Sequence, residues 1–473
     1  MKHAMNRTVS AAVASALSLF MSALPVGAQA PEVGKEATSR PAGTPSPVAT
    51  DTPASRPTDA PTTRPLDPLR YMASRVAESI NLDPPGIYED YTAEFLLAFP
   101  FNELRGLFAD FKYKHGPVRE IAELRRANAS SGVFRLVFER KVGMRMELLI
   151  SGDPAKVAGV RFSEGLPAED TREKALFALD SFGPVSGCAL LAIPAEGEAK
   201  LFDGARPERR FAVAGAYKLY ILGALLEDIA SGLRKWEDVV KLEGRLRSYP
   251  IGRLSLWSEG APLTLHTLAT LMTVENDDTA ADHLLSLLGR ERVEAMLAPM
   301  GVTDAAARLP LLSTREMYLL KNESGGETAT RFAASDTVRK RAILAALNSG
   351  PSPALSLSPK PKFVESIGFS ASAEELARAL VWILKKTESG PAAMGRELLA
   401  LNPGLPIDDT YFTFTAYKGG AEPGVLCGAW LLRRPDGRWF AFAAGWNDPE
   451  SALDERRFMA WIQRYLELCA STL

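Results

Sequence analysis

The sequence predicts an α+β protein of two folded domains, and three observations lead there. Residues 68–165 carry helix-spaced apolar patterns followed by alternating ones. From about 170 to the end, strand-like runs open and close the chain around a block of helical patterns. Ahead of both lies a segment, 31–67, that is mostly Pro, Thr, Ala and Ser with almost no large apolar side chain.

Taken in order, the first thirty residues read as an export signal. Lys2, His3 and Arg7 precede an apolar run, "TVSAAVASALSLFMSALPV", and small residues Ala28 and Ala30 stand at a spacing that a signal peptidase accepts. The localisation that follows is periplasmic or secreted, with no membrane-spanning segment once the signal is removed. Residues 31–67 cannot bury enough surface to offset their ordering entropy, so the reading is a disordered tether.

In 68–165, "LDPLRYMASRVAESINL" and "YTAEFLLAFPFNELRGLFADF" have helical spacing, and "GVFRLVFERKVGMRMELLISGD" alternates like strands, ending in "AKVAGVRF". In 170–473, "GCALLAIPAEGEAKLFDG" reads as two strands. Helical patterns follow at 214–231, 263–274, 278–288, 290–299 and 371–388. "TYFTFTAYKGG" and "GVLCGAWLLRRPDGRWFAFAAGW" then read as strands, with "RPDG" as a hairpin turn, and "LDERRFMAWIQRYLELCA" as a last helix. One sheet built from both ends of the domain, with a helical lobe inserted, is the implied arrangement.

Composition narrows the function. The 473 residues carry a formal net charge of −2, with 46 % hydrophobic and 24 % charged residues, which gives no bulk electrostatic case for nucleic acid. Four histidines (3, 115, 266 and 283) without a His-Glu-x-x-His or Cys-x-x-Cys pattern point away from a dedicated metal site, and no P-loop pattern is present. No cofactor is implied. Three cysteines, Cys188, Cys427 and Cys469, do not make a disulfide framework, although one bridge would be open to an exported chain.

Three short elements stand out: "GAYK" (Gly215 to Lys218) at the head of an apolar helix, "ENDDTAADHLL" with Asn276, Asp277 and Asp278 before another, and "YKGGAEPG" with Lys418, Gly419, Gly420 and Ala421 at a strand end. In this order they resemble the signatures of the serine β-lactamase and penicillin-binding superfamily: Ser-x-x-Lys, Ser-Asp-Asn and Lys-Thr-Gly. The resemblance covers most of 180–473. It is closest to two-domain relatives in which a small steroid-isomerase-like (NTF2-like) or cystatin-like domain comes first. It implies an antiparallel five-stranded sheet flanked by helices.

In that family the serine attacks a carbonyl, and the lysine three residues on shares its helix face and takes its proton. The second-motif serine relays a proton, and the third-motif lysine attracts a substrate carboxylate. Here Gly215 stands at the nucleophile position, Asn276 at the relay serine, Asp278 at the asparagine and Gly419 at the threonine. No lysine in the chain has a serine three residues before it. Lys218, Asp277, Lys418 and Gly420 keep the family identities.

The implied function is an exported β-lactamase-like homologue with a degenerate acyl-transfer site. It would bind a small molecule or cell-wall peptide in its cleft, along Lys418, Gly419, Gly420 and Ala421. The alternative is a hydrolase of β-lactams, esters or amides in which water attacks directly, with Lys218 or Asp278 as base. Two lysines in a cleft call for an acid, so Asp278 is expected to pair with Lys218 or Lys418.

Overall fold

The structure is a computed structural model that describes residues 67–472, apart from 83–85, 141, 168–170 and 350–357. The signal and tether of the sequence reading, apart from Asp67, lie outside the described residues.

The first part begins with helices α1 (Pro68–Leu82), α2 (Ala93–Ala98) and α3 (Phe101–His115). The second helical pattern is split at Pro100. Phe99 just before it is extended (φ −132°, ψ 96°), because a residue preceding proline is pushed out of helical geometry. Four antiparallel strands follow in simple order: β1 (Val118–Asn128), β2 (Ser131–Phe138), β3 (Val142–Ser151) and β4 (Lys156–Pro167). Phe134, Leu136 and Phe138 of β2 face Met144, Met146 and Leu148 of β3 and the helices, forming one apolar core. The first of these strands, "VREIAELRRAN", is absent from the sequence reading. Among its described side chains only Val118 is buried, so it shows no clean alternation.

After α4 (Arg172–Ala178) the chain enters the large sheet through β5 (Ser186–Ile193) and β6 (Lys200–Ala205). Short strand β7 (Arg210–Ala212) leads to a 3-10 turn (Ala214–Tyr217) and helix α5 (Lys218–Ala230). A ribbon of β8 (Val239–Lys241) and β9 (Pro262–Thr264) precedes α6 (Leu265–Val274), α7 (Asp278–Leu288) and α8 (Arg290–Glu294). Then come α9 (Thr314–Asn322), α10 (Glu327–Ala333) and α11 (Thr337–Ser349). Strand β10 (Ser370–Ser372) pairs with β7, and α12 (Ala373–Lys386) and α13 (Met394–Ala400) follow. The closing strands β11 (Phe414–Glu422), β12 (Val425–Arg433) and β13 (Trp439–Asn447) run into α14 (Glu455–Ala470).

The large sheet has the order β11-β12-β13-β5-β6, all antiparallel, so strands from both ends of the domain meet at the β13–β5 pairing. This is the five-stranded α+β arrangement that the motifs implied. The sheet separates two cores. One face packs on α5 and α12, the other on α14 and α4. Helix α5 is buried on nearly every side, including Lys218, Leu222 and Leu226. β11 is an edge strand, so its outer rim faces the motif-bearing turns. The three cysteines are buried free thiols, so the bridge left open by the sequence is not formed.

Candidate functional site

Each motif sits where an element begins or ends. Lys218 opens α5 directly after the 3-10 turn that contains Gly215. Asp277 caps α7, its Oδ1 accepting from the Ala280 amide at 2.8 Å. Its Oδ2 accepts from the amides of Arg253 (2.7 Å) and Leu254 (2.9 Å), so one carboxylate also ties the preceding loop to the site. Asn276 stands just before, with φ +60°, a left-handed conformation that asparagine tolerates better than most residues with a side chain. Lys418, Gly419 and Gly420 lie on the edge strand β11.

The fold brings Gly215, Lys218, Asn276, Asp278, Lys418 and Gly420 together. Lys218 is 1 % exposed, Lys418 2 % and Asp278 3 %, so the polar groups are inside the protein. Lys218 Nζ donates to Asp278 Oδ1 at 2.8 Å and to the Asn276 main-chain carbonyl at 2.6 Å. The other Asp278 oxygen accepts from the Ile251 amide at 2.9 Å. Of the two lysines expected as partners for Asp278, it is Lys218 that forms the ion pair.

Lys418 Nζ instead donates to the Asn276 carboxamide oxygen, 2.6 Å away, and weakly to the Thr273 carbonyl at 3.4 Å. Burial, reinforced by the Lys218 charge, holds the Lys418 pKa well below the usual lysine range, with Asp278 opposing the shift. Asn276 therefore serves both lysines at once, by its backbone to one and by its side chain to the other.

The space in front of Gly215 is filled. A Cβ built there would meet Asn276 Oδ1 at 2.6 Å, Nδ2 at 2.7 Å and Cγ at 3.0 Å. A side chain bearing a hydroxyl has no room at 215 while Asn276 keeps this position. The glycines of β11 are explained in the same way. A Cβ at Gly420 would lie 2.6 Å from the Gly215 amide nitrogen and 2.7 Å from that of Ala216, so the edge strand can approach the 3-10 turn this closely only without one. At Gly419 the added atom would run into the Tyr417 hydroxyl, which takes the place of a threonine side chain.

Ala421 is exposed at the rim. Together with Asn276, Lys418, Gly419, Tyr417 and Asn402 it lines a cavity of about 180 Å³. That is below the several hundred Å³ usual for small-molecule pockets, roughly 300–1,000 Å³. Among the described residues, no group of histidine, cysteine or carboxylate side chains is arranged to hold a metal ion, and no helix is long and apolar enough to cross a membrane.

Behind the site lies a layer that the motifs did not reveal. Asp282, one turn along α7, accepts from the amides of Thr314 (2.8 Å) and Arg315 (2.9 Å) at the start of α9. Its carboxyl is pushed up to about 7, chiefly by burial. The Tyr217 hydroxyl bonds Thr314 Oγ1 at 2.9 Å. The signal available for α9 was its capping box, Ser313 with Glu316, in "LSTREMYLL".

Residues 196–346 match the family model described as "Beta-lactamase enzyme family". The stretch 196–346, a part of the C-terminal domain, is similar to this family. The match spans the Gly215–Lys218 and Asn276–Asp278 elements. A β-lactamase from Sphaerobacter thermophilus DSM 20745 is similar in structure. It is 17 % identical with a TM-score of 0.44, over 64 % of this chain and 97 % of that one. A β-lactamase from Chitinophaga pinensis DSM 2588 is similar at 14 % identity and TM-score 0.43, over 64 % and 99 %. The structure of PBP-A is similar at 12 % identity and TM-score 0.42, over 64 % and 96 %. No curated protein matches the chain.

Proposed function

We propose that this β-lactamase-family protein is exported to the cell envelope and binds a ligand there without acyl transfer. The observation that carries the reading is the Asn276 carboxamide, whose oxygen sits 2.6 Å from where a side chain at 215 would begin. The family's chemistry needs an oxygen nucleophile at that point, with a lysine free to take its proton. Here the volume is occupied, Lys218 is bound to Asp278, and Lys418 is bound to Asn276.

The same bonds count against Lys218 or Asp278 as a base for water. Asp278 uses both oxygens, one on Lys218 and one on the Ile251 amide, and both side chains are buried. The ligand is a small molecule or the end of a cell-wall peptide, since a cavity of about 180 Å³ beside the exposed Ala421 admits only a small group. The envelope location rests on the N-terminal pattern of Lys2, Arg7 and the Ala28–Ala30 spacing.

A chromogenic cephalosporin and a panel of activated esters test the reading, alongside calorimetric titration with soluble cell-wall stem peptides. Silence in both activity assays, peptide binding, and gain of penicillin labelling in the Gly215→Ser/Asn276→Ser double variant are expected. Turnover by the unaltered protein that disappears in Lys218→Ala would overturn it.

A further inference from the structure

The small domain carries a cavity of its own, between the C-terminal end of α1 and α3. Its volume is about 420 Å³, within the range of roughly 300–1,000 Å³ usual for small-molecule pockets. Ile80 of α1 and Phe108 of α3, each 3 % exposed, give it an apolar floor. Asn102, Gly106 and Ala109 line it from α3 at helical spacing, so they share one face of that helix. All three are exposed, so the cavity opens to solvent.

Glycine weakens a helix interior relative to alanine. No neighbour requires one at 106: a Cβ built there would meet nothing within 4 Å. What the missing side chain leaves is room in the cavity. Lys112 stands at one end of it, also exposed. Its Nζ donates to the Asn81 main-chain carbonyl at 2.6 Å. Asn81 is itself fixed, its carboxamide accepting from the Val118 amide at 2.7 Å and donating to the Val118 carbonyl at 2.9 Å. The ammonium is thus positioned by an uncharged oxygen, with two of its three donors left for another acceptor. Among the described residues no carboxylate lines the cavity, and Asp110 of α3 pairs with Lys114 at 2.6 Å. Arg105, also in the lining, has contacts of its own, so the charge open to a ligand is that of Lys112.

An elongated apolar trough with one ammonium at its end suits a molecule that is apolar along its body and singly negative at one tip. We infer that the α1–α3 cavity of the small domain binds a carboxylate with a medium-length apolar tail. The carboxylate accepts from Lys112, and the tail runs back along α3 over Phe108 and Ile80, through the space left at Gly106. From Lys112 to Asn102 the helix rises about 15 Å, which sets the length of tail that the trough can cover. One ammonium answers one negative charge, which favours a carboxylate over a phosphate carrying nearly two.

Equilibrium dialysis of the full chain with sodium decanoate, kept below its micelle concentration, tests this, with decanol and decyltrimethylammonium as tail-matched controls. One saturable decanoate site is expected, with the alcohol and the cation weaker by about tenfold or more. Lys112→Met should lower decanoate affinity by a similar factor. Gly106→Leu puts a side chain into the trough while favouring the helix, so it should abolish binding without lowering Tm. The absence of a saturable site, decanol bound as tightly as decanoate, or a decanoate affinity unchanged in either variant overturns the proposal.

Discussion

The surroundings of Lys218 and Lys418 differ in one respect that explains the rest of the site. Both ammonium groups are buried, both are close to Asn276, and both stand at family motif positions. Lys218 has a carboxylate at 2.8 Å, whereas Lys418 has a carboxamide oxygen and a distant carbonyl. Asp278, at a position where the resemblance leads one to expect an asparagine, supplies one negative charge, and it goes to Lys218. The first lysine sits in an ion-paired cluster, and the second is held by hydrogen bonds to Asn276 and Thr273.

The largest effect should come from breaking the charged half. Asp278→Ala leaves Lys218 buried without its counter-charge and frees the Ile251 amide. A loss of about 3–5 kcal/mol in chemical denaturation is expected. A loss below about 1 kcal/mol would show that the pair does not anchor the cluster.

Next is Gly215→Ser, which forces a Cβ into the Asn276 carboxamide that both lysines use. It should cost about 1–3 kcal/mol, with most of that recovered on adding Asn276→Ser. Equal stability of the two variants in urea titrations would contradict the filled-site reading.

The weaker half should respond less. Lys418→Met removes a poorly compensated buried amine and should change stability by about 1 kcal/mol or less at neutral pH. Because the folded-state pKa of Lys418 is depressed, the unfolded chain binds more protons between that value and about 10.5. Stability linked to this residue is therefore full above the unfolded pKa and falls as pH drops toward the folded one. Lys418→Met should flatten that part of the pH profile relative to the unaltered protein. An identical profile would remove the distinction between the two lysines.

The smallest and sharpest test is Asn276→Asp, which gives Lys418 the carboxylate it lacks at a position where aspartate tolerates the left-handed backbone. Stability should change by a few tenths of a kcal/mol at neutral pH, while the alkaline dependence assigned to Lys418 is suppressed.

Much of this was legible in the sequence because motif residues are local. Gly215 and Lys218 share one turn, Asn276 to Asp278 are contiguous, and two continuous apolar runs on either side of "RPDG" form a hairpin. The need for an acid near two lysines also follows from charge alone. What occupies the space at Gly215 did not follow, because Asn276 reaches it only through a left-handed backbone turn 61 positions along the chain. The polar layer of Asp282, Thr314 and Tyr217 depends on α9 docking against α7. The α10–α11 region was missed because its helices bury little: of the thirteen residues of α11 only Leu344 is buried.

Intact-mass analysis after prolonged incubation with benzylpenicillin tests the central claim most directly. The account predicts the unmodified mass for the full chain and a penicilloyl adduct only in Gly215→Ser/Asn276→Ser. A stoichiometric adduct on the unaltered protein, mapped to any side chain around Lys218 and Lys418, would contradict it.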